Sequence, residues 1–158
     1  MKVLPFKIPK PKNEALIYQE DRERIFYGQL HQHQEIQISL VVKGSGSFVV
    51  ADTINEYQEG DILVIGEYVP HVFKSDSDKS DESIMCSLFF KKDSFGKHFF
   101  ELTDMAETKE FFKGSEYGLK VLSKKQKITK QFNKLSHQNK IERVATLLKI
   151  LNLISTAE

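Results

Sequence analysis

Three histidines carry the residue types with chemical potential. His31 and His33 open the run HQHQEIQISLVVKG at residues 31–44, and His71 closes GDILVIGEYVPH at residues 60–71. Side chains two residues apart on a strand project from the same face, so His31 and His33 are placed to share one object. Imidazole nitrogen binds transition metals readily, and three neutral imidazoles suit Zn, Ni, Cu or Fe. The same three rings could equally line a pocket that hydrogen-bonds an organic ligand. Gln37 favours that second reading, because a neutral amide is a weaker ligand than a carboxylate and offsets none of a cation's charge. Glu35, Gln37, Tyr68 and Phe73 join the histidines as candidate ligand contacts. The plainer reading of these four is a solvated strand face for Glu35 and Gln37 and core packing for the two aromatics. The one cysteine, Cys86, has no basic neighbour in sequence to activate its thiol and reads as a small buried residue. No catalytic residue is assigned.

These side chains need strands to hold them. From Ile36 to Val42 the even positions are apolar, while His31, His33, Glu35, Gln37 and Ser39 occupy odd ones. Alternation at period two marks a strand with two unlike faces and predicts one strand over His31–Lys43. Gly44-Ser45-Gly46 reads as a turn to a return strand at Ser47–Val50. Further strands are expected at Val3–Phe6, around Ala15, Ile17 and Tyr18, and at Arg24–Tyr27, Thr53–Tyr57, Ile62–Ile65, His71–Lys74, Ser83–Phe90 and Leu119–Leu122, with SDSDKSDE at residues 75–82 as a surface loop. Short strands at this even spacing argue a barrel or sandwich.

After Phe90 the period changes to that of helices, expected at about residues 94–103, 105–113, 124–136 and 140–155. Asp104-x-x-Glu107, Ser123-x-x-Gln126 and Asn139-x-x-Glu142 each read as a capping box. The expected organisation is a β-barrel with an N-terminal arm over residues 1–92 and a helical tail over 93–158. The last helix is apolar around more than half its circumference, wider than one packing partner requires. Ile141, Val144, Leu147, Leu148, Leu151 and Ile154 are therefore the expected homodimer interface, the alternative being that the extra face packs on the chain's own domain or on a further C-terminal domain. Lys120, Lys124, Lys125, Lys127, Lys130 and Lys134 form a basic run, read as a solvated helix face, with a DNA-phosphate contact as the sharper alternative. The pairs Phe89-Phe90, Phe99-Phe100 and Phe111-Phe112 read as core.

Composition narrows the classes. A net charge of +1 supplies no global field for nucleic acid or membrane. One cysteine excludes an intrachain disulfide and a cysteine-rich zinc site. No window reaches the length of a membrane span, and MKVLPFKIPKPK lacks the apolar run of a signal peptide, so the expected location is the cytoplasm.

The two histidine segments resemble the cupin fold, a double-stranded β-helix. His31, His33 and Gly44 match the first motif of that fold, with Gln37 where the motif has Glu and Ile25 where it has a leading Gly. Gly60 and His71 match the second, with Gly66 in place of Pro, Tyr68 in place of Gly and Ser75 in place of the closing Asn. The wider arrangement, from HQHQEIQISLVVKGSGSFVV through EGDILVIGEYVPHVF to IERVATLLKILNLIS, is similar to the N-terminal half of AraC-type transcriptional regulators. That resemblance implies a cupin barrel that senses a small-molecule effector, helices that join two protomers, and DNA bound only by a helix-turn-helix domain expected beyond Glu158. On this reading the domain is not an enzyme and requires no cofactor, and His31, His33 and His71 could hold a divalent transition metal (Zn, Ni or Fe). The rival is a metal-dependent cupin enzyme, a dioxygenase or isomerase.

Overall fold

The computed structural model describes residues 3–5, 14–24, 26, 28–76 and 82–156. Ten strands form two five-stranded sheets. The strands are β1 Leu4–Pro5, β2 Leu16–Glu23, β3 His31–Gln32, β4 Ile36–Lys43, β5 Gly46–Val50, β6 Thr53–Tyr57, β7 Ile62–Ile65, β8 His71–Ser75, β9 Ser83–Phe90 and β10 Leu119–Lys120. One sheet runs β1-β3-β8-β5-β6 and the other β10-β7-β4-β9-β2. All pairings are antiparallel except β1 with β3. The architecture is the expected jelly-roll barrel, followed by helices α1 Thr108–Ser115, α2 Lys125–Leu135 and α3 Lys140–Ser155.

The alternation in β4 sets the layers. Ile36, Ile38 and Leu40 point out of the barrel into a core shared with Ile62, Val64, Leu88 and Phe90 and with Phe111, Phe112, Ile128, Phe132, Leu147 and Leu151 of the helices. Gln37, Ser39 and Val41 point inward. Burial on both faces explains why Ile62–Ile65 reads as a continuous apolar run. The boundary at residue 92 does not separate two cores, since strand β10 lies past it and pairs with β7, and the helices bury the outer face of that sheet.

Two features of the strand reading are corrected. His31–Lys43 is not one strand: the chain bends at Gln34 and Glu35, placing β3 in one sheet and β4 in the other. Gly44-Ser45-Gly46 likewise makes no hairpin. It carries the chain across to the opposite sheet, where a Cβ on Gly46 would fall 2.0 Å from the Lys74 carbonyl oxygen. Alternation survives such a crossing because both sheets keep one face toward the barrel interior. At Arg24–Tyr27, Arg24 and Phe26 lie outside any strand, and residues 25 and 27 fall outside the described set; so do residues 77–81 of the acidic loop and most of the N-terminal arm.

Helix ends are corrected too. The segment expected to be helical at residues 94–103 forms only a short 3-10 turn at Phe99–Glu101, followed by another at Thr103–Met105. The boxes at Asp104 and Ser123 do not form: α1 starts after Glu107 and α2 after Lys124, neither with a side-chain cap, and Lys124 takes a left-handed φ of 59°. The third box forms in full. Asn139 Oδ1 accepts from the Glu142 N–H, and Glu142 Oε1 accepts from the Asn139 N–H, both at 2.9 Å.

One buried carboxylate ties the layers together. Asp61, 1% exposed, stands between β6 and β7. It accepts from the Gln58 N–H at 2.9 Å and lies 3.1 Å from both Lys120 Nζ on β10 and Lys125 Nζ at the start of α2. Burial raises its proton affinity, but the Gln58 N–H and the two ammonium groups outweigh that and hold the carboxyl below its ordinary range.

Candidate functional site

His31, His33 and His71 converge inside one end of the barrel. β3 pairs with β8 in the register that sets His31 opposite His71, and the bend after β3 turns His33 toward both. Ring centroids lie 4.3 Å apart for His31–His71, 4.9 Å for His33–His71 and 6.1 Å for His31–His33. All three side chains are buried, and their candidate ligand nitrogens lie within 4.8 Å of one another.

Each ring is oriented in the same way. Nδ1 of His31, His33 and His71 faces the backbone carbonyl of Gln29, Glu35 and Val69 at 2.6, 2.8 and 2.8 Å. An N–H donated there leaves Nε2 as the lone-pair nitrogen of a neutral imidazole. Burial pushes the proton affinity of His71 down, to a pKa of about 3, and lowers that of His31 as well. His71 Nε2 is buried and has no hydrogen-bond partner among the described residues. Three buried imidazoles within reach of one another, with carbonyls behind their Nδ1 atoms and a buried Nε2 on His71, are the donor set of a divalent transition-metal site, so the residues fit such an ion.

Gln37 also points into the site. Its Oε1 lies 3.1 Å from His33 Nε2, and its Nε2 donates to Ser39 Oγ at 2.8 Å, which in turn lies 2.6 Å from Ser87 Oγ. A neutral His33, its one N–H committed to Glu35, can only accept at Nε2 and calls for the amide turned end for end. An imidazolium calls for it as placed. The amide can serve either form by rotation, whereas a carboxylate could serve only the charged one.

The other candidates separate. Glu35 sits half-buried in the bend, and its backbone carbonyl, not its carboxylate, meets His33. Tyr68 is 55% exposed, and it is its N–H that meets the site, donating to the His33 carbonyl at 2.8 Å. Phe73 is interior but belongs to the packed far end of the barrel, stacked on Phe48 at 4.7 Å and edge-on to Tyr57. That end is mostly apolar, with Phe26, Val41, Leu63 and Met85 completing it, and the Tyr57 hydroxyl donates to Ser75 Oγ at 3.2 Å. Sequence reasoning missed Ser87 and Phe89, whose ring stands edge-on to His33 at 5.7 Å. The alternation of Ser83–Phe90 carried the signal: Met85, Ser87 and Phe89 share the inward parity, against Ile84, Leu88 and Phe90 outside. Ser39 stood on the polar face of β4 without being assigned a role.

On α3 the structure splits the expected interface. Leu147, Leu151 and Ile154 are buried in the chain's own core and are unavailable to a partner; this corrects their assignment. The flank beside that buried face carries Ile141, 82% exposed, the half-buried Val144, Leu148, which packs on the edge of the core, and the exposed Ala145. The helix is apolar over a wide arc because one side covers the barrel and the flank beside it is left bare.

Among known proteins, residues 12–88 match the family model described as the AraC-like ligand binding domain. No curated protein matches the chain. Among solved structures, the chain is similar to the Mn(II)-containing oxalate decarboxylase of Bacillus subtilis, with 20% identity and a TM-score of 0.42 over 49% of this chain and 22% of that one. It is also similar to AerE of Microcystis aeruginosa, with 27% identity and a TM-score of 0.43 over 48% of this chain and 36% of that one. The chain therefore spans well under half the length of either structure, and likenesses at this level carry no functional inference.

Proposed function

Residues 12–88 belong to the AraC-like ligand binding domain family, and from that premise we propose that the chain is the effector-sensing and dimerisation part of a transcriptional regulator. The observation that supports this is the convergence of three buried imidazoles, with the Gln37–Ser39–Ser87 chain behind them, at one end of a barrel whose other end is packed with aromatic side chains. A small molecule or a metal ion that engages those nitrogens meets a preformed set of hydrogen-bonding groups, and no bond in it need break. The outer face of the same sheet is covered by the helices. A ligand with different affinity for two packings of barrel and helices shifts their populations, and that shift is the signal. The bare stripe of α3 joins a second copy, and DNA is contacted specifically through a helix-turn-helix unit outside these residues.

A divalent ion would be held by His31, His33 and His71. It would supply Lewis acidity or anchor an effector's oxygen or nitrogen atoms. The orphaned His71 Nε2 is the observation that favours the second reading, a metal-dependent cupin enzyme. Two measurements separate the readings. In thermal-shift assays against a panel of sugars, carboxylates and aromatic acids, a sensor is stabilised by a member of the panel, and His33→Ala or His71→Ala abolishes the shift. Stoichiometric Fe, Ni or Mn in protein purified without chelator, together with conversion of a panel member, would establish the enzyme. No shift with any compound or with added Zn2+ would leave a dimerisation module without a working pocket.

A further inference from the structure

The sensor reading leaves the surface of α2 unexplained. Residues 117–141 contain Lys120, Lys124, Lys125, Lys127, Lys130, Lys134 and Lys140 and no carboxylate. Four of these lysines have partners within the chain. Lys120 and Lys125 flank Asp61, Lys140 pairs with Glu14, and Lys124 Nζ donates to the Thr156 carbonyl at 3.0 Å, at the C-terminal end of α3. Lys127, Lys130 and Lys134 have no ion-pair partner among the described residues. They follow one another at i, i+3 and i+7 along α2 and, with Gln131, Asn133 and Leu153, line a groove of about 390 Å³.

This placement works against the helix. Like charges three and four residues apart repel. The first turn of α2, where the helix dipole favours anions, holds no acidic residue and does hold Lys127. A merely soluble surface would mix signs and relieve both strains. A line of cations that the fold does not neutralise is relieved by an anion from outside, and we propose that α2 docks on the sugar-phosphate backbone of nucleic acid. Three observations favour that partner over an acidic protein surface. The cations form a row along one helix rather than a scattered patch, and the charges of a nucleic-acid backbone are themselves a row, one per about 1.7 Å of duplex axis. All three are lysines, whose compact ammonium groups engage phosphate as point charges. The groove has no aromatic side chain on which a base or a protein anchor could stack. The contact is therefore independent of base sequence, and it does not depend on what the barrel binds.

The test is fluorescence anisotropy of a labelled 20-base-pair duplex of arbitrary sequence with the 158-residue chain, repeated across salt concentrations. Binding at low salt is expected to weaken with a log–log slope of about −3, roughly one counterion per lysine. The variant Lys127→Gln/Lys130→Gln/Lys134→Gln should lose about tenfold or more in affinity and flatten the slope by about 3. Its melting temperature should hold or rise, since repulsion is removed. Lys97→Gln/Lys109→Gln, on a different part of the surface, should bind as the parent does. Binding that is absent at low salt, or unchanged in the triple variant, would overturn the proposal. So would polyglutamate competing as well as unlabelled duplex, which would make the partner an acidic protein, and so would a fall in melting temperature showing that the lysines hold the fold.

Discussion

Gln37 decides which charges the imidazole end of the barrel can hold. Three neutral rings and a neutral amide leave a divalent ion with no compensating charge, so any such ion must bring or recruit its own anion. Replacing the amide by a carboxylate changes that balance at a position 3.1 Å from His33 Nε2. Gln37→Glu is expected to strengthen Zn2+ or Mn2+ binding by about tenfold, comparable to gaining one charge-assisted contact. Isothermal titration of metal-stripped protein checks this. An unchanged affinity would mean that the ion does not sit where the amide reaches.

At the scale of elements, Asp61 is the tie between barrel and tail. It touches β10 and the first residue of α2 from a turn of the barrel, and its carboxyl is held below its ordinary range by those contacts. A lowered native-state pKa contributes stability above the unfolded value near 3.9. That contribution is lost as pH falls through the native value. The wild type should therefore lose stability below about pH 5 with a slope that Asp61→Asn lacks. At neutral pH that substitution should cost about 1 kcal/mol in urea denaturation, because the partners it leaves are two lysines that still reach solvent. Asn139→Ala tests the other end of the tail. Removing the one complete capping box should cost about 1 kcal/mol without altering the ligand response, as read by the same denaturation curves.

For the whole molecule, the two faces of α3 predict opposite outcomes for similar changes. Leu151 is fully buried between barrel and helices, so Leu151→Glu should abolish folding, seen as loss of the cooperative melt. Ile141 is 82% exposed, so Ile141→Glu should melt as the wild type does. In sedimentation velocity it should run as a monomer where the wild type runs as a dimer. A wild-type chain that is monomeric throughout would remove the stripe from the dimer interface. The bare face and the lysine row of α2 lie on neighbouring helices of one hairpin, so dimerisation and polyanion binding can be measured on one set of variants.

Much of this was legible in the residues. Period-two alternation located β4, the apolar stretch Ser83–Phe90 read as a strand, the run Ile62–Ile65 announced a buried strand, and Asn139-x-x-Glu142 marked the start of α3, because these signals depend on neighbours within a few positions. The spacing of His31 and His33 and the parity of Gln37 likewise pointed to one shared face. What sequence could not decide depended on distant chain. Ser123 and Asp104 have the right spacing for caps but sit where tertiary contacts start the helices elsewhere. Leu147 and Leu148 read alike in the sequence, and only the packing of α3 on the barrel buries one fully and leaves the other half-covered. The crossing between sheets at Gln34–Glu35 brings His31 against His71, forty residues away, and the turn between β7 and β8 leaves the ring of Tyr68 in solvent. Local chemistry specified which side chains could act; the closure of two sheets over one interior determined which of them meet.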